Sequence, residues 1–276
     1  MLDLPVSENT NYEPVKSGLA VCAASEAQLN FAKTIAQSLN LPLLDSSNID
    51  DALLYPLLIW VDAAGVGLKQ SGRKAPNPVI IDFVGGTLGF RGKRSSHTKE
   101  LVANAVGVKG DKMPTVLDAT AGLGRDSFIL ASRGCLVTML ERSPVVALML
   151  EDALSRAAGD FEVRNITRRM NLQHSDASEF MRSLSPQDYP EVVYLDPMFP
   201  ERSKSASVKK EMRLLQQLLG ADMDTKELFD AALQVATRRV VVKRPKMAPC
   251  ISELKPHHVV EGKSGRFDIY YTRALD

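Results

Sequence analysis

The chain has 276 residues, 45% of them hydrophobic and 24% charged, with a formal net charge of +1. That composition is globular, with enough apolar side chain for one large domain or for one with a smaller companion. No run approaches eighteen apolar residues, the three cysteines lie far apart, and the acidic, proline-containing first residues lack the pattern of a secretory leader. A membrane span, a metal centre and a disulfide framework are therefore not expected, and a cytoplasmic protein is.

In chain order, Leu19 to Ala23 reads as a strand, Ser25 to Leu39 as a helix with a serine cap, and Leu57–Val61 and Val79–Phe83 as two further strands. These form a small α/β unit. Residues 85–96 are rich in glycine and cations and suit a linker or a substrate-facing loop, so a boundary is expected near residue 92: a small N-terminal α/β subdomain over 1–92 and a larger domain over 93–276. A helix from His97 to about Val106 then leads into the stretch on which the rest of the chain depends.

That stretch is Val116-Leu-Asp-Ala-Thr-Ala-Gly-Leu-Gly-Arg-Asp126. A short β-branched and aliphatic run passes through Asp118 into a turn with Gly122 and Gly124, and then into the apolar segment Ser127–Ala131: strand, turn, helix. Glycines there let the backbone approach a ligand and aim the first N–H groups of the helix at it. A plain tight turn would look the same. The next strand, Leu136–Leu140, ends in Glu141, roughly twenty residues past the glycines, at the spacing where nucleotide-type folds put a carboxylate on ribose hydroxyls.

A helix starts at Pro144 and runs to about Ala158, and a third strand near Asn171–His174 is followed by Asp176 and a short helix through Leu184. The fourth strand, in Glu191-Val-Val-Tyr-Leu-Asp-Pro-Met-Phe-Pro200, runs straight into Asp196-Pro-Met-Phe. A hydride-transfer domain has no need of that tetrapeptide, whereas a methyltransferase acting on an exocyclic amine does. Ser207–Leu219 places Val208, Met212, Leu215 and Leu219 on one helical stripe, with Lys209, Lys210 and Arg213 opposite. Asp224 and Glu227 have the spacing of a capping box for a helix to Thr237. Arg239–Lys243 is a fifth strand closed by Pro245, and His257–Val260 and Phe267–Thr272 lie too close together for a helical crossover, so they should pair antiparallel. The whole is the pattern of a class I methyltransferase: a Rossmann-like α/β fold whose mostly parallel sheet has one antiparallel strand.

Charge is unevenly spread. Residues 1–62 carry a net −6, so the remainder carries +7, in clusters that include Arg202, Lys204, Lys209, Lys210 and Arg213, and Arg238, Arg239, Lys243, Arg244 and Lys246. One such cluster reads as a solvated face; several flanking one catalytic motif point towards a polyanion such as RNA.

The runs Asp118–Asp126, Met139–Arg142 with Pro144-Val-Val, Val192–Pro200, Val208–Arg213, Val240–Pro245, Gly265–Ile269 and Asp82–Gly86 together resemble the ribosomal small subunit methyltransferase J family, over most of residues 80–271. The resemblance implies S-adenosylmethionine as cofactor and methylation of the exocyclic N2 of a guanosine in 16S ribosomal RNA, presented naked or in the small ribosomal subunit. It further implies cofactor contacts at Arg125, Asp126, Glu141, Arg142, Asp176, Ala177 and Asp196, to which the residues themselves add Asp118, Gly122 and Gly124. At Asp176-Ala177 the family also has small hydroxyl residues, and amine methyltransferases often have Asp-Pro-Pro-Tyr where Met198 and Phe199 stand here. Asp196 and the Pro197 carbonyl would accept hydrogen bonds from the target amine, Phe199 would stack on an extracted base, and no metal is required. Two other readings share parts of this pattern. A dehydrogenase should show a third glycine where Arg125-Asp126-Ser127 stands, and a non-catalytic RNA-binding or assembly protein would need neither Glu141 nor Asp196. Adenine N6 is the alternative target amine.

Overall fold

In a computed structural model the described residues are 18–45, 54–72, 74–85, 101–197, 208–220, 224–263 and 265–272. They divide into two units, the first comprising residues up to Ala63 and Gly67–Val79, the second Ala64–Val66 and Ile80 onward. The boundary expected near residue 92 lies outside the described residues.

The first unit holds most of a five-stranded sheet of order β2-β1-β3-β4-β5, with β1 at Leu19–Ala23, β2 at Leu43–Leu44, β3 at Leu57–Asp62, β4 at Gly65–Gln70 and β5 at Val79–Ile80; Gly65, Val66 and Ile80 fall in the second unit. Helix α1, Leu29–Ser38, buries Ala32, Ile35 and Ala36. Strand β4 is additional to the sequence expectation. Its Gly-Val-Gly start has low strand propensity, which hydrogen bonding to neighbouring strands overrides, and residues Gly65–Leu68 are all buried. Strand β5 is shorter than Val79–Phe83, because the Asp82 carboxylate accepts from the Val84 and Gly85 amides and turns the chain away. Ser25 does not cap α1: its hydroxyl donates to the Gln28 side chain across a 3-10 turn, and the helix begins at Leu29.

The second unit carries the larger sheet. Its strands are β6 (Val116–Asp118), β7 (Val137–Glu141), β8 (Met170–His174), β9 (Val192–Leu195), β10 (Arg239–Pro245), β11 (His258–Glu261) and β12 (Gly265–Tyr271), in the order β11-β12-β10-β9-β6-β7-β8. Neighbours from β10 to β8 pair in parallel, and β12 runs antiparallel to both β10 and β11. One reversed strand in a parallel sheet is the arrangement expected from the short His257–Thr272 segment. The central strands are continuous apolar runs, as strands covered on both faces must be: Val192–Leu195 and Val240–Val242 are all buried.

Helices flank this sheet: α2 (Leu101–Val106), α3 (Arg125–Ser132), α4 (Pro144–Ala158), α5 (Arg164–Thr167), α6 (Ala177–Ser183), α7 (Val208–Leu219) and α8 (Thr225–Val235). Ser143 caps α4 with Pro144 in its first turn, and Asp176 caps α6 through the Glu179 amide. Helix α7 buries Leu214, Leu215 and Leu218; of the expected stripe Leu215 is buried and Met212 and Leu219 are half-buried, while the Val208 side chain lies outside the described residues. The capping box at α8 does not form. Asp224 makes no side-chain cap, because its carboxylate pairs with Arg142, and Glu227 pairs with Arg182.

The order reverses at β6, which lies between β7 and β9. In open α/β sheets the crevice at the carboxyl ends of such strands is where ligands bind. Asp118, Glu141 and Asp196 all stand there.

Candidate active site

The glycine turn is held from three sides. The Asp118 carboxylate, only 2% exposed, accepts from the Ser127 hydroxyl at 2.5 Å and the Thr120 amide at 3.2 Å. The Ala121 amide donates to the Leu140 carbonyl of β7, and the Asp196 amide donates to Thr120 Oγ1 at 2.6 Å. Gly122 and Gly124 both have positive φ, +51° and +69°. Among the described residues a Cβ on Gly122 would find nothing nearer than the Thr120 carbonyl at 3.8 Å, which leaves that side of the turn room for a ligand. A Cβ on Gly124 would meet Leu150 at 2.9 Å and Phe83 at 3.0 Å; this glycine serves packing, under the stacked rings of Phe83 and Phe128.

Glu141 ends β7 with its side chain turned to the same turn. It is 7% exposed and accepts from the Gly122 amide at 3.2 Å and the Ser143 amide at 2.8 Å. These two bonds to backbone amides fix the orientation of the carboxylate. Burial lifts the Asp118 carboxyl to about 7; the Ser127 hydroxyl and Thr120 amide pull the other way, and the charges of Asp126 and Asp196 add to the rise.

Asp196 follows directly on β9, half-buried, with Pro197 buried behind it. The parallel register pairs Val242 with Leu195, so the next residues along, Lys243 and Asp196, are neighbours on one face of the sheet. Lys243 Nζ donates to Asp196 Oδ2 and to Asp126 Oδ2, each at 2.8 Å, and the Tyr194 hydroxyl donates to the same Asp126 oxygen at 2.6 Å. Burial opposes the ammonium, but Asp196 and Asp126 outweigh it and hold its pKa above the ordinary lysine value. Burial and the same carboxylates push the Tyr194 phenol far up, so it stays a donor.

Asp118, Gly122, Gly124, Asp126, Glu141 and Asp196 are thus gathered at one crevice. Arg125 pairs with Glu211 of α7 at 2.5 Å and Arg142 with Asp224 at 2.8 Å, both at exposed positions, while Asp176 caps α6 and Ala177 is buried beneath it. Phe199, Arg202 and Lys204 lie outside the described residues, as does the Lys209 side chain; Lys210 and Arg213 stand on α7. By sequence alone Lys243 falls in with the basic clusters, and Tyr194 does not stand out. The signal for both is the alternation of side chains along two neighbouring buried strands, which becomes usable once the strands are known to be neighbours. The rest of that cluster also has partners within the chain: Arg238 pairs with Glu191, Arg239 donates to the Ala105 carbonyl, Arg244 donates to the Pro249 carbonyl and Lys246 pairs with Glu261.

A reversed final strand, a glycine turn at the switch point and an acid ending the next strand define a class I S-adenosylmethionine-dependent methyltransferase. Comparison with known proteins agrees: residues 43–272 match the family model described as "Putative SAM-dependent methyltransferase". The chain belongs, within that class, to the ribosomal RNA small subunit methyltransferase J family. It is 47% identical to that enzyme of Thioalkalivibrio sulfidiphilus, over 92% of this chain and 98% of the relative, and 48% identical to that of Pseudomonas fluorescens, over 88% and 91%. A crystal structure of a SAM-dependent methyltransferase from Neisseria gonorrhoeae is 32% identical and superposes with a TM-score of 0.65, covering 93% of this chain and 98% of that one. Among the described residues no helix is long and apolar enough to cross a membrane, and no group of three or more His, Cys, Asp or Glu side chains could hold a metal ion.

Proposed function

We propose that this chain methylates the exocyclic N2 amine of a guanosine in 16S ribosomal RNA, in the cytoplasm, on naked RNA or on the small ribosomal subunit. The observation that carries the reading is Asp196, whose carboxylate is set beside Lys243 at the end of β9 and whose backbone amide donates to Thr120 of the glycine turn. A methyl acceptor placed at Asp196 is thereby placed at the cofactor crevice.

S-adenosylmethionine supplies an electrophilic methyl group on a sulfonium. The residues present fit it. Glu141, fixed by two backbone amides beside Gly122, suits the ribose hydroxyls, and the Asp126 and Asp196 carboxylates at the same crevice suit a cation.

A guanine N2 lone pair is delocalised into the ring, so its nitrogen needs polarising as it attacks. Asp196 accepts a hydrogen bond from the amine and the Pro197 carbonyl accepts another, which favours a more tetrahedral nitrogen. With the methyl passing from the sulfonium to the nitrogen, the Asp196 carboxylate and solvent would take up the one proton that the nitrogen gives up. Phe199 stacks on the extracted base. Arg202, Lys204, Lys209, Lys210 and Arg213, following directly on the catalytic loop, hold flanking phosphates without reading the base. Arg125, Arg142 and the Asp176–Ala177 pair complete the cofactor's surroundings.

The relatives' shared name supports ribosomal RNA as the substrate. The test is nucleoside mass spectrometry on 16S RNA from cells lacking the protein, with purified enzyme then added back to subunits. N2-methylguanosine should be lost and restored. A missing methyladenosine beside an unaltered guanosine profile would show an amine methyltransferase with a different base.

A further inference from the structure

We infer that Lys243 is a positioning residue, holding the Asp196 carboxylate in the orientation and charge state that the acceptor amine requires and coupling it to the glycine turn through Asp126. The inference rests on the catalytic role proposed for Asp196 and deepens it.

The geometry is that of a brace. Four strand-end side chains, Asp118, Tyr194, Asp196 and Lys243, lie on one face of the sheet, because the registers pair Asp118 with Tyr194 and Val241 with Tyr194. Helix α3 contributes Asp126 and Ser127. Among the described residues, the groups facing Asp196 and Lys243 include Asp118 from β6, Asp126 from α3 and Tyr194 from β9; on the β12 side Lys243 is paired with Phe267, an uncharged neighbour. Three carboxylates converge and one ammonium stands between two of them. Its side chain is 38% exposed and that of Asp196 39%, and ion pairs so open to solvent add little to stability. What the ammonium does supply is direction. Carboxylate rotation at Asp196 is restrained by a donor that Asp126 itself holds in place, and Asp126 is in turn held by the Tyr194 hydroxyl. The chain Tyr194–Asp126–Lys243–Asp196 thus joins the first turn of α3, where the cofactor crevice begins, to the group that meets the acceptor.

Removing the ammonium should leave like charges facing one another, so that one of the carboxylates takes up a proton at higher pH. Lys243→Met, Lys243→Arg and Asp196→Asn would be compared by steady-state methyl transfer to 16S RNA from pH 5.5 to 9, with circular dichroism melts to confirm folding. For Lys243→Met the expected result is kcat at neutral pH lower by about tenfold or more, RNA KM changed far less, and the acid limb of kcat/KM moved up by about one pH unit. Lys243→Arg should restore the acid limb. Should Lys243→Met fail to fold, Lys243→Arg with Asp126→Asn keeps one cation on Asp196 alone, and is expected to retain the acid limb while losing kcat through the broken link to α3. Unchanged kcat and an unmoved acid limb in folded Lys243→Met, or in the Arg–Asn pair a kcat equal to that of Lys243→Arg, would overturn the inference. Near-normal turnover in Asp196→Asn would instead overturn the role of Asp196 on which it stands, and the two failures are told apart by that variant.

Discussion

The amide of Gly122 donates to Glu141 Oε2 at 3.2 Å, joining the glycine turn after β6 to the acid that ends β7. Two features nineteen residues apart in the chain are therefore joined: the acid proposed for the ribose also holds the glycine turn. Loss of a hydrogen bond to a charged group costs about 1.5–3 kcal/mol, so Glu141→Ala should weaken S-adenosylmethionine binding roughly ten- to a hundred-fold in isothermal titration, with the fold retained. Unchanged affinity would remove Glu141 from the site.

Asp196→Ala tests the chemistry separately from binding. Losing one preorganised electrostatic partner typically costs about 10²–10³ in kcat, and methyl transfer should drop by two orders of magnitude or more while cofactor affinity falls less. Single-turnover assays with saturating cofactor measure the chemical step alone. Normal turnover there would sink the proposed role.

Gly124 is a packing glycine, and its replacement should act on stability. At φ +69° an alanine is strained, and its Cβ would press on Leu150 and Phe83, both held in the core. Left-handed backbone and overpacking each cost about 1–3 kcal/mol, so Gly124→Ala should lower the urea midpoint clearly. Gly122→Ala is strained by its backbone but meets no close neighbour among the described residues, and should destabilise less. Equal losses in the two variants would contradict this division of roles.

The buried Asp118 carboxyl makes stability depend on pH in an unusual direction. Its native pKa of about 7 lies above that of an unfolded chain, so between about pH 4 and pH 7 the folded state holds a proton that the unfolded state has released. Its contribution is fully present below the unfolded value and is lost as pH rises through about 7. Urea unfolding at pH 5, 6, 7 and 8 should show Asp118→Asn losing less stability than the native chain over that interval. Parallel curves would place the Asp118 pKa in the ordinary range.

The lysines of α7 are tested by salt. Replacing Lys209 and Lys210 with alanine should weaken RNA binding and reduce the magnitude of the log–log salt slope by roughly 0.7–0.9 for each phosphate that is no longer neutralised. The identity of the methylated base should survive. An unchanged slope would take these lysines off the RNA path.

The run of parallel strands, the reversed final hairpin and the crevice acids were all legible in the sequence, because each rests on local chemistry: β-branched runs for buried strands, glycines for positive φ, an acid at a fixed distance past them, a loop too short for a crossover. Strand β4 was not, since its glycines say loop and only pairing with neighbouring strands makes it a strand. The capping box at Asp224 was legible and did not form, because Arg142 and Arg182, distant in the chain, claim both of its acids. Lys243 shows the same limit most clearly. As a sequence position it is one cation in a basic run; the side-by-side register of β9 and β10 turns it inward to two carboxylates from different elements. Spacing along a chain reports which backbone shapes and which reactive groups are available, whereas the partner of a charge is decided by which strands become neighbours, and that is settled by burial of the whole sheet.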